Sequence, residues 1–186
     1  MNRHHTVLAL VALLSTLTLT ASDAFAEDTD LKLFDKGASW KLTKNGGSDG
    51  TFEIAAEGEV TVGVMAYDFT NRSQTKPSVL VAASSTAIAE GTDSVALNAR
   101  TSRPLMLTIR FVDDTGQTHQ HKTKLKGSGD WELVRISLTR KFETWGGADD
   151  GKIHFPIKQV KLALLAPKDD PPTGKIEFAK AVATAE

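Results

Sequence analysis

Residues 129–156, GDWELVRISLTRKFETWGGADDGKIHFP, join an alternating segment to a loop rich in glycine and aspartate. In the first half, Val134, Ile136 and Leu138 alternate with polar side chains, a pattern typical of a strand with one buried face. The second half, residues 145–151, combines one tryptophan, three glycines and two aspartates. The stretch therefore predicts a strand within a sheet, followed by a loop at one edge of the fold.

Alternating segments of the same kind occur along most of the chain and are separated by turn residues. They predict strands at residues 31–34, 40–42, 51–55, 59–69, 79–83, 94–100, 105–112, 117–125, 131–138, 157–165 and 175–182. No longer window shows helical periodicity. The sequence therefore predicts an all-β, antiparallel β-sandwich, with a jelly roll as its expected form.

The first 26 residues have the pattern of a secretory signal peptide, with a positively charged start, an apolar run at residues 7–14 and a small-residue cleavage signal at residues 24–26. That run is too short to cross a bilayer, and no later segment approaches the ~20 apolar residues that a crossing requires. We therefore expect no membrane span. Residues 27–186 are expected to form a single β-sandwich domain that is secreted or periplasmic.

The charge balance argues against a nucleic-acid partner. The formal net charge is −1, from 22 Lys and Arg against 23 Asp and Glu, and the charges are spread along the chain without a basic run. Such a chain has no long-range field that would attract nucleic acid or an anionic membrane. The chain also has no cysteine, so its stability has to come from its core and not from disulfides.

Five motifs, taken in order, resemble a known family. They are Leu33-Phe34-Asp35 with Trp40, the segment LTIRFVD at residues 107–113 with Gly116, Trp131 with Val134, Ile136 and Leu138, Trp145-Gly146-Gly147 with Asp150-Gly151, and GKIEF at residues 174–178. Their order and spacing resemble the galactose-binding-like jelly roll of the carbohydrate-binding-module type, as attached to glycoside hydrolases. The resemblance implies a non-catalytic module whose partner is a polysaccharide or oligosaccharide.

The same resemblance implies one structural calcium ion, held between an acid near the opening strand and an acid in the last strand. The matching residues in this chain are Asp35 and Glu177. The chain departs from the family pattern at Phe178, where the family more often has a second acid. Because calcium takes about 6–8 oxygen ligands, carbonyls or water would have to complete such a site.

Polar side chains opposite the apolar positions of the middle strands form a candidate binding face. These are Asn98, Arg100, Thr108, Arg110, His119, His121 and Arg135. If the strands are neighbours, one sheet presents many planar donors, and an aromatic ring can cover the C–H side of a sugar. Alternation alone favours a simpler interpretation, a solvated sheet face. The resemblance favours sugar binding, at Tyr67, Arg110, His119, His121, Arg135 and Trp145.

Two further patterns suggest other chemistry. His119 and His121, at i and i+2 on a strand, would suit zinc if His154 or an aspartate lay near, although hydrogen-bonded histidines are commoner. The pairs Asp113-Asp114, Asp149-Asp150 and Asp169-Asp170 invite comparison with glycosidase carboxyls. All three pairs occur beside Gly or Pro, where aspartate caps its own backbone, so we predict turns there.

The tryptophans differ in context. Trp40 and Trp131 begin or lie within alternating strands and are predicted to be core residues. Trp145 lies between polar residues and a glycine pair, so it is either an exposed platform for a sugar or a buried plug at one end of the sandwich. The sequence leaves both open.

Two alternatives to carbohydrate binding remain. One is a structural or protein-interaction β-sandwich of the cell envelope, with a protein partner. The other is a small glycan-active hydrolase, which would need two carboxylates facing one cleft. The sequence contains no phosphate loop or metalloprotease motif. We therefore expect no enzyme activity.

Overall fold

The alternating segments form strands because successive side chains of an extended chain point to opposite sides, so that one side can be buried. The computed structural model describes residues 27–166 and 172–185. The predicted signal peptide and the Asp169-Asp170 pair lie outside the described residues. Within them every regular element is a strand.

In chain order the strands are β1 (Glu27–Asp30), β2 (Lys41–Asn45), β3 (Asp49–Glu57), β4 (Val60–Asp68), β5 (Val79–Ile88), β6 (Ser94–Arg100), β7 (Leu105–Val112), β8 (Thr118–Leu125), β9 (Glu132–Ser137), β10 (Glu143–Trp145), β11 (Ile157–Leu165) and β12 (Thr173–Ala185).

The strands form two antiparallel sheets of six strands each. The first sheet has the order β3-β4-β12-β6-β9, with β1 also paired to β12. The second sheet has the order β10-β8-β7-β11-β5-β2. Most neighbours in space are not neighbours in the chain, as expected for a jelly roll. The all-β antiparallel sandwich predicted from the sequence is confirmed.

Strand β12 organises the first sheet. It is 13 residues long and pairs with β4 over its first half, with β6 over its second half and with β1 at its end. A register shift between Ala179 and Ala181 marks a bulge, where Lys180 has a φ of 41°. A bulge lets one long strand bend and serve different neighbours along its length.

The core lies between the sheets and contains a group of stacked aromatic rings. Phe34 stacks on Trp40 at 5.7 Å and on Phe178 at 5.9 Å between ring centroids, and Phe52 packs against Trp40 at 4.5 Å. The indole Nε1 of Trp40 donates to the carbonyl of Leu33 at 2.8 Å. Trp40 is thus partly buried and packs against the core, as predicted, and its N–H has the partner that a buried indole requires.

The predicted strand at residues 31–34 is wrong. Lys32 has a φ of 54°, which an extended strand does not allow, and the following residues form a turn. Leu33 and Phe34 are nevertheless buried. The apolar residues that suggested a strand therefore fill the core from a turn, and the strands lie on either side as β1 and β2.

The prediction that Trp131 is a core residue is also wrong. Val134, Ile136 and Leu138 are buried as expected, but Trp131 precedes β9 and is 38% exposed. Its ring lies 4.4 Å from the guanidinium carbon of Arg100 on the outer surface of the first sheet.

None of the described segments is a helix with the length and hydrophobicity needed to cross a bilayer.

Candidate functional site

Five of the residues predicted to share one polar face are divided between the two sheets of the sandwich. Asn98 and Arg100 on β6, and Arg135 on β9, belong to the first sheet. Thr108 and Arg110 on β7 belong to the second. Arg135 is therefore not brought together with Arg110, and the single face expected from alternation does not exist.

His119 and His121 point to the wrong side of their sheet for the predicted role. In the β7–β8 hairpin, His119 is paired with Phe111 and His121 with Ile109, which are both core residues. Directly opposed residues of an antiparallel pair point to the same side of the sheet. His119 is completely buried, and burial lowers the pKa of His121 on that inner side. His119 is therefore closed to solvent, and His121, which is partly exposed, lies on the inner side of the sheet.

Tyr67 is also not available to a ligand on a sheet face. It is 7% exposed and lies among the core residues, with its ring 5.6 Å from that of Phe69. It is paired with Gly174 on β12, and a Cβ added to that glycine would lie 2.5 Å from the Tyr67 hydroxyl. This burial leaves no exposed ring face for the sugar-stacking role predicted for Tyr67.

Trp145 and Arg110 come together on the outer surface of the second sheet. Trp145 ends β10 and is paired with Thr118, and its indole is 41% exposed. The guanidinium carbon of Arg110 lies 5.4 Å from the centre of the Trp145 ring. This cation–π contact holds the indole in place while much of it stays accessible. The structure therefore excludes a buried plug and shows that Trp145 is exposed.

A chain of hydrogen bonds runs beside this indole. The Nε of Arg110 donates to Gln120 Oε1 at 2.8 Å, and Gln120 Nε2 donates to Glu143 Oε2 at 2.8 Å. Lys122 Nζ donates to the same carboxylate oxygen at 3.0 Å. These bonds, from Lys122 first and then from Gln120, hold the pKa of Glu143 below its usual value. The side chains are therefore ordered before any ligand arrives.

Strand pairing sets these side chains in one row across the sheet. The row contains Glu143 on β10, Gln120 on β8, Arg110 on β7, Lys161 on β11, Ala83 on β5 and Lys41 on β2. Neighbouring strands are about 4.8 Å apart, so six strands span roughly 24 Å. We call the outer surface formed by Trp145 and this row the Trp145 face. Gln120, Glu143 and Lys161 were not predicted from the sequence.

The loop that carries Trp145 is anchored to the β7–β8 turn. Asp113, which is buried, accepts from Thr115 and from the backbone N–H of Gln117 through Oδ1, and from His119 Nε2 at 3.0 Å through Oδ2. Burial alone would raise the pKa of Asp113, but these hydrogen bonds and one from the His154 backbone N–H hold it at about 2. Asp113 is thus an ionised structural anchor.

Gln117 joins the same turn to the far end of the loop. Its Nε2 donates to the carbonyl of Lys152 at 2.8 Å, and its Oε1 accepts from the backbone N–H of Asp150 at 3.0 Å. Asp150 accepts from Lys152 N, which lowers its pKa, and it lies 3.1 Å from His154 Nε2. The prediction that Asp113 and Asp150 serve turn geometry agrees with these contacts.

At Gly147 the backbone of the Trp145 loop comes very close to the backbone of the β7–β8 hairpin. Its φ is 54°, and a Cβ there would lie 2.2 Å from the backbone nitrogen of Gln117. We expect Gly147→Ala to lower the free energy of unfolding by about 2 kcal/mol, measured by urea denaturation, because the new methyl adds overpacking to backbone strain. Gly151→Ala is the control, since its φ is 74° but nothing lies within 4 Å. Its cost should be about 1 kcal/mol. Equal losses in both variants would contradict the close contact.

The structure offers no set of ligands that matches the predicted calcium or zinc site among the described residues. The Glu177 carboxylate accepts hydrogen bonds from Arg100 Nε and Lys175 Nζ, and the exposed Asp35 forms an ion pair with Lys32. Among the described residues, no group of three or more His, Cys, Asp or Glu side chains is arranged to hold an ion. The donor set at Asp35 and Glu177 does not fit calcium. That site stays a prediction which only metal titration would test.

The outer surface of the first sheet has its own exposed tryptophan but a different chemistry. Arg100, which lies over Trp131, is held by two carboxylates: its Nε donates to Glu177, and its Nη2 donates to Glu57 at 2.8 Å. Burial would raise the pKa of Glu177, but hydrogen bonds from Arg100 and Lys175 lower it overall. Arg110, in contrast, uses only its Nε on a side chain of the described residues. The Trp145 face therefore keeps donors for a ligand.

Comparisons with known proteins show the same architecture. No protein-family model and no curated protein matches the sequence. A family 11 carbohydrate-binding module of the cellulosomal cellulase Lic26A-Cel5E of Clostridium thermocellum is similar in structure, with a TM-score of 0.65 and 10% identity over 86% of this chain and 95% of that one.

Two further solved structures are similar. One is the family 11 module from Clostridium thermocellum in complex with a β-1,3-1,4-mixed-linked tetrasaccharide, with a TM-score of 0.62 and 10% identity over 84% of this chain and 94% of that chain. The other is the agarase AgWH50C, with a TM-score of 0.52 and 10% identity over 86% of this chain and 24% of that one. The protein has the β-sandwich fold of carbohydrate-binding modules, as the sequence motifs predicted.

Proposed function

We propose that the protein is a non-catalytic carbohydrate-binding protein that holds an oligosaccharide or polysaccharide on the Trp145 face. The observation that carries the proposal is an exposed indole beside a row of ordered planar groups. Sugar rings offer C–H groups on one side and hydroxyls at their edges. An indole packs against the first, while guanidinium, amide and carboxylate groups hydrogen-bond to the second.

The arrangement suits an extended ligand. Arg110, Gln120 and Glu143 alternate donors and acceptors along the row, and their mutual hydrogen bonds reduce the entropy lost when a ligand binds. The similarity of the fold to a module solved in complex with a tetrasaccharide supports the same class of ligand. The proposal includes no catalytic step, because Asp113 and Asp150 are engaged in turns.

Trp145→Ala tests the proposal. We expect the variant to lose at least tenfold in affinity for a glycan that the wild type binds, about 1.4 kcal/mol, because a central aromatic anchor is removed. Affinity gel electrophoresis on a panel of polysaccharides, followed by calorimetry on the best ligand, measures the change. Binding that survives in full after this substitution would show that the Trp145 face is not the site.

Trp131→Ala is the matched control. Trp131 is the same residue type, has similar exposure and also lies beneath an arginine, but it is on the other sheet. We expect its affinity to stay at the wild-type value. A loss in both variants would indicate a general effect of the substitution on the fold.

A protein-interaction module is the second candidate, because three apolar side chains, Val60, Trp131 and Leu133, are exposed on described strands of the first sheet or next to them. Leu133→Lys tests it, since the substitution places a charge at the most exposed of these positions. A partner that co-purifies with the wild type and not with this variant would favour the second candidate. Unchanged co-purification would argue against it.

We also propose that the mature protein is secreted or periplasmic. The support is the signal-peptide pattern of residues 1–26. Mass spectrometry of the exported protein should find a chain that begins at Glu27, and retention of the first residues would contradict this.

A further inference from the structure

The outer surface of the second sheet has a strongly one-sided charge. Strand alternation and pairing place five cationic side chains on its described strands, at Lys41, Arg110, Lys122, Lys124 and Lys161. The one carboxylate on the same strands of this surface is Glu143, and it is already bonded to Lys122 and Gln120. The net charge of the whole chain is −1, so the cations are concentrated here.

Two of these cations oppose each other directly. Arg110 and Lys161 are a cross-strand pair in the β7–β11 register, and both are partly buried. Among the described residues, neither forms an ion pair, and the bond from Arg110 to Gln120 brings no negative charge. Like charges directly opposite each other on a sheet destabilise it. The fold therefore keeps an unfavourable pair at the centre of the Trp145 face.

The electrostatics of the pair agree with this geometry. Burial lowers the pKa of Lys161 and the neighbouring charge of Arg110 lowers it further, while burial lowers the pKa of Arg110 against a weaker opposing effect of Glu143. The next row of the sheet adds an unsatisfied polar group. Thr108 is fully buried there, and its Oγ1 has no hydrogen-bond partner among the described residues. The uncompensated charges of Arg110 and Lys161, which are only partly buried, are costly unless an anion completes them.

We propose that the glycan bound on the Trp145 face is anionic, with a carboxylate or sulfate group seated between Arg110 and Lys161 while a sugar ring packs on Trp145. The inference rests on the proposed carbohydrate binding and names its ligand class. An anion there converts a repulsive pair into two charge-assisted hydrogen-bonding partners, and guanidinium is well matched to either oxyanion. Neutral sugars leave the pair uncompensated.

Two matched pairs of polymers distinguish the sources of the charge. Polygalacturonate is compared with its methyl ester, which keeps the backbone and removes the charge, and a sulfated galactan is compared with its desulfated form. We expect the charged member of at least one pair to bind at least tenfold more tightly by calorimetry, with an affinity that falls as salt rises from about 50 to about 500 mM. The pair that responds identifies carboxylate or sulfate.

The possible failures are distinct. Equal affinity for charged and neutral members would overturn the anionic ligand and leave carbohydrate binding intact. Absence of binding to all the polymers, and to a neutral glucan panel, would overturn both.

Substitution of Lys161 supplies a readout that a merely structural role would not produce. We expect Lys161→Gln to bind the charged polymer at least tenfold more weakly, and to unfold at a temperature equal to or above that of the wild type, because the repulsion is gone. Arg135→Gln removes the same charge from the outer surface of the other sheet and should leave the affinity unchanged. Equal affinities of the two variants, or a lower unfolding temperature of Lys161→Gln, would overturn the proposal.

Discussion

Phe178→Ala is expected to lower the free energy of unfolding by about 3–5 kcal/mol, enough to unfold a large share of a marginally stable domain. Phe178 is fully buried on β12 and stacks between Phe34 and Phe52, at 5.9 and 6.4 Å between ring centroids. Truncation removes the ring contacts with Phe34 and Phe52 and leaves a cavity. Because β12 is paired with β4 on one side and β6 on the other, it cannot move to close that cavity. Urea denaturation followed by circular dichroism measures the loss.

Phe178→Leu is the control for this prediction. It keeps most of the buried volume and should cost about 1.5 kcal/mol or less. If alanine and leucine were tolerated equally, the aromatic group would not be central to the core. The same position explains a departure from the resembled family. An acid at residue 178 would project into the aromatic core, and the chain has a phenylalanine there.

Asp113→Ala is expected to cost a similar amount, about 3–5 kcal/mol, because it leaves the buried donors of Gln117 and His119 without their carboxylate acceptor. The exposed neighbour Asp114, which pairs with Lys158, is the control. Asp114→Ala should change stability by less than about 1 kcal/mol. Denaturant unfolding at neutral pH compares the two, and similar losses would contradict the anchoring role of Asp113.

The stability of the wild type should also fall in acid through the same residue. The pKa of Asp113 is lowered in the folded protein to about 2 from 3.8, so its ionised form is favoured by folding. This contribution, about 2 kcal/mol, is complete above about pH 4 and is lost as the pH falls towards 2. Asp113→Asn should show a smaller decline across that window. An equally steep decline in the variant would assign the acid sensitivity to other carboxylates.

Alternation predicts the strands and the two sides of each strand. It does not predict which sides of two neighbouring strands lie on the same surface of the sheet, and the binding face depends on that. Each strand of the β7–β8 hairpin shows its own two sides clearly. Which side of β8 joins Arg110 depends on the number of residues in the turn after Asp113. The turn pairs Phe111 with His119 and Arg110 with Gln120. The hydrogen bond from the Asp113 N–H to the Gln117 carbonyl sets this register. Three residues before Asp113 is Arg110 and three residues after Gln117 is Gln120, so this turn places Arg110 opposite Gln120.

The other errors have a similar origin. Trp131 was predicted to be buried because it begins an alternating segment, but an indole over Arg100 is stabilised without burial. Tyr67 was predicted to stack on a sugar, although it shares the core side of β4 with Met65. Lys161 was not singled out, since its importance lies in a cross-strand neighbour that belongs to a distant part of the sequence.

The central place of β12 in the first sheet has a kinetic consequence. Thr184 is hydrogen-bonded to Asp28, which is 156 residues earlier in the chain, and the same strand separates β4 from β6. Before β12 pairs with them during folding, β4 and β6 each have an unpaired edge that can pair with another chain. A topology with such distant pairings folds slowly, and its half-built sheet is the species most prone to aggregate. Productive refolding should therefore require dilute protein, even though the finished sandwich is tightly packed.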